Sequence, residues 1–103
     1  MTRTFDAIEL EVLWQSLIAT VNEQARALQR AAFSPIVREA GDLANAVFDR
    51  RGRMVAQAVT GTPGHVNSMM ESVGHFLAKF PAAGMKPGDH YITNDPWLGT
   101  GHL

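Results

Sequence analysis

Residues 4–33 read TFDAIELEVLWQSLIATVNEQARALQRAAF, and this stretch decides what kind of molecule the chain can be. Leu10, Leu13, Leu17, Val21, Leu28 and Ala32 recur at spacings that keep one apolar stripe on a helix. Asp6 followed by Glu9 suits the helix start, where carboxylates meet exposed backbone N–H groups. Ser34-Pro35 closes the helix, because proline disfavours helical geometry in the residue before it. About 28 residues at ~1.5 Å each make a rod of roughly 42 Å. A compact chain of 103 residues has a radius of gyration of about 13 Å, or a diameter near 33 Å. Part of the stripe therefore has nothing in this chain to pack against. Either the protein oligomerises or a larger body covers the helix.

Outward from that helix, the pattern changes period. Ala44-Asn45-Ala46-Val47-Phe48 and Arg53-Met54-Val55-Ala56-Gln57 flank Asp49-Arg50-Arg51-Gly52. A polar loop closed by a glycine that supplies positive φ predicts a β-hairpin. Thr60 to His65 reads as a loop. A second helix is expected from Asn67 to Phe80, with Ser68 and Glu71 as a capping box, Met69, Val73, Phe76, Leu77 and Phe80 as its buried face, and Pro81 as its stop. Met85 to Asp89 reads as a turn, and His90-Tyr91-Ile92-Thr93 as a short strand. The last ten residues form a Gly-rich loop containing Pro96 and Trp97, an ordered turn rather than a tail. The expected class is α+β: long N-terminal helix, hairpin, second helix, short strand and Gly-rich loop. Because the chain stops inside that loop, residues 1–103 are expected to be the N-terminal segment of a larger α+β subunit.

Composition removes several functions. Nine basic against ten acidic residues leave a net charge of -1, whereas a nucleic-acid binder needs excess cations to displace counterions. No apolar run approaches the ~18 residues of a membrane span. Acidic residues interrupt the apolar N-terminus, so it is not a secretory signal. There are no cysteines, which excludes disulfides, thiolate zinc sites and a thiol nucleophile, and makes the cytoplasm the expected compartment. Chemistry must come from histidines and carboxylates.

His75 falls inside the second helix and His90 at a strand start, both ordinary structural or surface places. His65 and His102 sit in Gly-rich loops, where backbone can approach a ligand closely. Asp42 follows Gly41 and reads either as a turn or cap residue or as a metal ligand or general base. Asp95, before Pro96, reads either as an Asx turn or as a functional carboxylate. No self-contained metal motif, nucleophile triad or phosphate loop is present.

The strings Gly61-Thr62-Pro63-Gly64-His65-Val66-Asn67-Ser68-Met69 and Ile92-Thr93-Asn94-Asp95-Pro96-Trp97-Leu98-Gly99-Thr100-Gly101-His102-Leu103 resemble the hydantoinase B/oxoprolinase family. Ala32-Phe33-Ser34-Pro35 and the hairpin from Val47 to Gln57 fit the same pattern in the same order. The resemblance covers nearly the whole chain, and the Asn-Asp-Pro-x-x-Gly-x-x-His-Leu run is its most specific part.

That resemblance implies one part of an ATP-dependent enzyme that opens cyclic amides such as hydantoins and 5-oxoproline. A hydantoinase A-type partner subunit would bind ATP and phosphorylate the amide oxygen. This chain would help hold a divalent metal (Zn, Mn or Fe), with Asp42 and His102 matching two ligands of the family set and the other two falling past Leu103. Carboxylate oxygen with imidazole nitrogen suits such ions, which lower the pKa of bound water toward ~7. Asp95 and His65 complete the expected catalytic set, Asp95 orienting a ligating imidazole and His65 lining the substrate pocket. Two ligands do not close a site, so the isolated chain is expected to bind metal weakly and to be inactive. Two rival readings are a non-catalytic interaction module, assembled through the unpaired stripe, and a segment of a related ATP-dependent ketone carboxylase. Expected partners are the A-type subunit, a small cyclic amide and further copies in an oligomer, with no nucleic acid and no membrane.

Overall fold

The computed structural model describes residues 4–58 and 63–100. It is an α+β arrangement in which a long helix, α1 (Ala7–Ala31), is followed by a short helix, α2 (Pro35–Arg38), an antiparallel hairpin of β1 (Ala46–Phe48) and β2 (Met54–Gln57), and a third helix, α3 (Pro63–Lys79). A 3-10 turn at Ala82–Gly84 and one π-helical turn at Pro96–Thr100 complete the order. The principal extents are 45 × 31 × 24 Å and the radius of gyration is 15.1 Å. The chain is thus more elongated than a compact domain of its length, as the long helix requires.

α1 starts as its sequence dictates. The Asp6 carboxylate accepts from the Glu9 backbone N–H at 2.7 Å, and the Glu9 carboxylate accepts from the Asp6 N–H at 3.3 Å. This reciprocal box satisfies two donors that the first helical turn leaves without partners. The helix ends at Ala31, two residues before the expected Phe33, because Ala32 is already extended ahead of Ser34-Pro35. The middle of the apolar stripe is covered: Val21 and Ala25 are fully buried against Leu43, Ala56 and Ala58, with Leu17, Ile18, Val37 and Val47 around them. The N-terminal end of the same stripe is not, and Leu10, Leu13 and Trp14 stay 41–52% exposed.

The hairpin forms where expected, within two residues at either end. Its register pairs Ala46 with Gln57, Val47 with Ala56 and Phe48 with Met54, so it slips by one between Val47 and Phe48. Asp49 organises the turn. One carboxylate oxygen accepts from the Arg51 and Arg53 backbone N–H groups, both at 2.9 Å, and the other accepts from Arg53 Nε at 2.7 Å. Gly52 has φ +81, the left-handed region that the loop chemistry demands.

Three expectations fail, the simplest being that Phe80 is buried: it lies just past the end of α3 and is 40% exposed, its ring facing Tyr91 instead. α3 begins at Pro63 rather than Asn67. Proline is tolerated at a first helical position, whose N–H would have no partner anyway. Ser68 and Glu71 therefore lie inside the helix and form no capping box there. Of the expected Thr60–His65 loop, Pro63 to His65 are helical, and the other residues lie outside the described ones. The third failure is the strand at His90–Thr93, which has no sheet partner. That segment instead lays Tyr91 against α3, its ring centroid 4.9 Å from Phe80 and 6.1 Å from Phe76, and aromatic packing replaces ladder hydrogen bonds.

The hairpin turn yields two predictions. A Cβ on Gly52 would lie 3.1 Å from Leu77 Cδ1 in a left-handed conformation, so Gly52→Ala should lower the unfolding free energy by about 1–2 kcal/mol in urea titration. The Asp49 carboxyl is held below its ordinary value of 3.8, chiefly by the Arg53 backbone N–H, with the Arg53 side chain and the Arg51 N–H adding to it. A depressed folded-state pKa contributes stability that is complete above 3.8 and lost as pH falls through the lower folded value. Acid melting below 3.8 should accordingly be shallower in Asp49→Asn than in the wild type.

Candidate functional site

Gly41 places the first candidate residue. It has φ +69. Its N–H donates to the Val37 carbonyl at 3.2 Å, and the Asp42 N–H donates to the Ile36 carbonyl at 3.2 Å. The first is the 5→1 bond of an αL helix cap, which needs a left-handed residue and so favours glycine. The chain leaves it with Asp42 turned towards α3. There, His65 Nε2 lies 2.6 Å from Asp42 Oδ1 across 23 residues of sequence. An ionised carboxylate can only accept, so His65 Nε2–H donates. Both side chains are partly buried, His65 28% and Asp42 40% exposed.

The pair borders a cleft of about 480 Å³, within the usual size of small-molecule sites. Leu43 and Ala44 extend the Asp42 wall, while α3 contributes Ser68, Met69, Ser72, Val73 and Phe76, and Thr93 and Gly99 close the far side. The α3 residues recur from His65 at three- and four-residue steps, so one helix face supplies them all. Sequence reading had treated that face as buried core. The spacing of His65, Ser68 and Ser72 was the available signal, a polar edge along an apolar face.

Asp95 has a different setting. Its Oδ1 accepts from the Trp97 and Leu98 N–H groups at 2.8 and 3.2 Å, and its own N–H donates to Thr93 Oγ1 at 3.1 Å. These are the bonds of an Asx-type turn leading into Pro96–Thr100. Asp95 borders a second hollow of about 300 Å³ with His75, Lys79, Phe80, Ile92 and Leu98; Ser72, Phe76 and Thr93 are shared between the two hollows. The structure therefore brings Asp42 and His65 together and sets Asp95 beside the adjoining hollow. The expected pairing of Asp42 with His102 lies outside the described residues. Among the described residues, no group of three His, Cys, Asp or Glu side chains could hold a metal ion. No helix among them is long and apolar enough to cross a membrane.

The hydantoinase B/oxoprolinase family model matches residues 6–103. The chain belongs to this family. It is 38% identical over 100 residues to an uncharacterised protein of Schizosaccharomyces pombe, covering 97% of this chain and 7% of that protein. It is 33% identical to a 5-oxoprolinase of Saccharomyces cerevisiae, covering 95% of this chain and 8% of the relative. It is 31% identical to a 5-oxoprolinase of Pestalotiopsis fici, covering 91% and 7%. The chain thus spans 7–8% of the length of these relatives. No solved structure matches it.

Gly99 is the packing contact that closes the cleft. A Cβ there would lie 2.8 Å from Thr93 Cγ2, and Thr93 cannot swing away without releasing the Asp95 N–H from its hydroxyl. Gly99→Ala should therefore destabilise by about 1–3 kcal/mol. Hydrogen exchange at the Asp95 and Trp97 amides should rise selectively, and unchanged exchange there would show that the contact is not felt.

Proposed function

We propose that this chain forms part of an ATP-dependent cyclic amidohydrolase of the hydantoinase/5-oxoprolinase type. The single observation that carries the proposal is the Asp42–His65 pair on a small-molecule-sized cleft in a chain of this family. Two of the relatives named above are 5-oxoprolinases, and a five-membered cyclic amide fits the volume with room for an activated oxygen.

Unactivated amides resist water because nitrogen is a poor leaving group. In this reading, a hydantoinase A-type partner binds ATP and transfers its phosphoryl group to the amide oxygen, which relieves that obstacle. Asp42 can offer one carboxylate oxygen to a divalent ion, whose remaining ligands the described residues do not supply. Asp42 Oδ1 is occupied by His65, Oδ2 accepts no bond among the described residues, and a ligating carboxylate whose other oxygen is hydrogen-bonded is a common arrangement. Asp42 and His102 would hold the ion. When bound, it would lower the pKa of a water molecule and polarise a carbonyl. His65 then orients Asp42 and lines the substrate space. Asp95 supports the adjoining turn with one oxygen, leaving the other as the acceptor for a ligating imidazole. Met69, Val73 and Phe76 keep the ring against an apolar wall and limit competing water.

The interaction-module reading has one observation in its favour, the exposed Leu10–Trp14 end of the α1 stripe. Turnover separates the two. The protein assembled with its ATP-binding partner should hydrolyse ATP in step with ring opening of 5-oxoproline or hydantoin, lose this on chelation, and regain it with Zn²⁺ or Mn²⁺. His65→Gln should lower turnover or metal affinity by about 10–100-fold. Full activity after chelation would remove the metal role, and a stable complex without ring opening would favour the module.

A further inference from the structure

We propose that Ser68 is a substrate-binding residue, the hydroxyl that grips the polar edge of the cyclic amide. The inference rests on the ring-opening reading above. Ser68 lines the same cleft as Asp42 and His65 and is partly buried. It follows His65 by three residues on α3, about 4.5 Å along the helix axis and close to one turn.

A serine inside a helix usually turns its hydroxyl back to the carbonyl four residues earlier. α1 shows the habit twice: Ser16 donates to the Val12 carbonyl and Thr20 to the Ser16 carbonyl, both at 2.8 Å. Ser68 makes no such bond, and its hydroxyl has no hydrogen-bond partner among the described residues. Nor does it serve as a helix cap, since α3 begins five residues earlier, at Pro63. The hydroxyl is therefore uncommitted and placed in a cleft whose other α3 wall residues include Met69, Val73 and Phe76. A hydrogen bond formed there is worth more than one in open water.

Distance decides between Ser68 and the second serine of the same face. Ser72 lies seven residues from His65, roughly 10.5 Å along the axis, and borders both hollows. A five-membered cyclic amide with its exocyclic oxygen spans about one helical pitch, ~5.4 Å. A ring held at Asp42 and His65 reaches Ser68 and stops short of Ser72. Serine can donate to a ring carbonyl or accept from a ring N–H, the two groups that every hydantoin and 5-oxoproline presents.

The test uses the protein assembled with its ATP-binding partner, with 5-oxoproline and hydantoin as substrates. Ser68→Ala should raise KM for the cyclic amide about two- to tenfold, the range of one neutral hydrogen bond, with kcat within about twofold and KM for ATP unchanged. Ser72→Ala should raise KM for the cyclic amide clearly less than Ser68→Ala does, and Ser16→Ala, on the exposed face of α1, should leave all three unchanged. Ser68→Thr, which keeps the hydroxyl, should restore most of the affinity. Wild-type KM in Ser68→Ala, an equal effect from Ser72→Ala, or a fall in kcat alone would overturn the assignment of Ser68. A wild-type complex that opens neither ring would instead overturn the ring-opening reading, and Ser68 with it.

Discussion

The hydrogen bond from His65 to Asp42 is the constraint on which the rest of the site depends. α1 and the hairpin share one small core, and α3 packs with the Pro96–Thr100 turn. Asp42 belongs to the first group and His65 to the second. Their 2.6 Å contact ties the two groups at the cleft, while Gly52 against Leu77 and Val73 ties them at the hairpin tip. Charge-assisted bonds to a carboxylate are short and directional. A helix that carries His65, Ser68 and Ser72 is thereby held at a set rotation facing the Asp42 loop. The left-handed Gly41 of the preceding helix cap matters for the same reason, because it sets where Asp42 leaves α2.

What could be read from the sequence was local. The capping box at Asp6 and Glu9, the proline after Ser34 and the glycine at the hairpin tip each act within four residues, and each reappears in the structure. The misreadings have local causes too. Pro63 and Gly64 were read as loop formers, yet proline is compatible with a first helical turn. Ser68 and Glu71 match a capping box in spacing but stand in mid-helix, where the motif has no free N–H groups to serve. His90 to Thr93 has strand composition, but a strand exists only with a partner edge, and Tyr91 found aromatic rings instead.

The site was legible in its parts and not in its pairing. Asp42 and His65 were both singled out, Asp42 for its place before the hairpin and His65 for its Gly-rich surroundings. Nothing local says that they meet, since the contact depends on where α2, the turn at Gly41 and α3 lie in space. Asp95 shows the converse. Its turn bonds to Trp97 and Leu98 could be foreseen from Asp-Pro, and they commit one carboxylate oxygen to the backbone whatever the other does. Ser68 reads in the sequence as a capping hydroxyl only if the helix starts at Asn67; with α3 beginning at Pro63 it has no such task.

The apolar stripe of α1 connects the fold to its size. Among the described residues only Val21, Ala25, Leu43, Ala56 and Ala58 are buried hydrophobics, and three of those are alanines with little area to remove from water. Leu10, Leu13 and Trp14 continue the same stripe yet remain 41–52% exposed. Covering large side chains of this kind contributes about 1.5–3 kcal/mol each when burial is complete, so three half-covered ones leave several kcal/mol unrealised. Small cores of this kind seldom exceed about 3–5 kcal/mol. The uncovered end of the helix is therefore comparable in weight to the whole core that the described residues build. Within the described residues, α1 is therefore held beside the cleft only through its middle, where Val21 and Ala25 meet Leu43, Ala56 and Ala58.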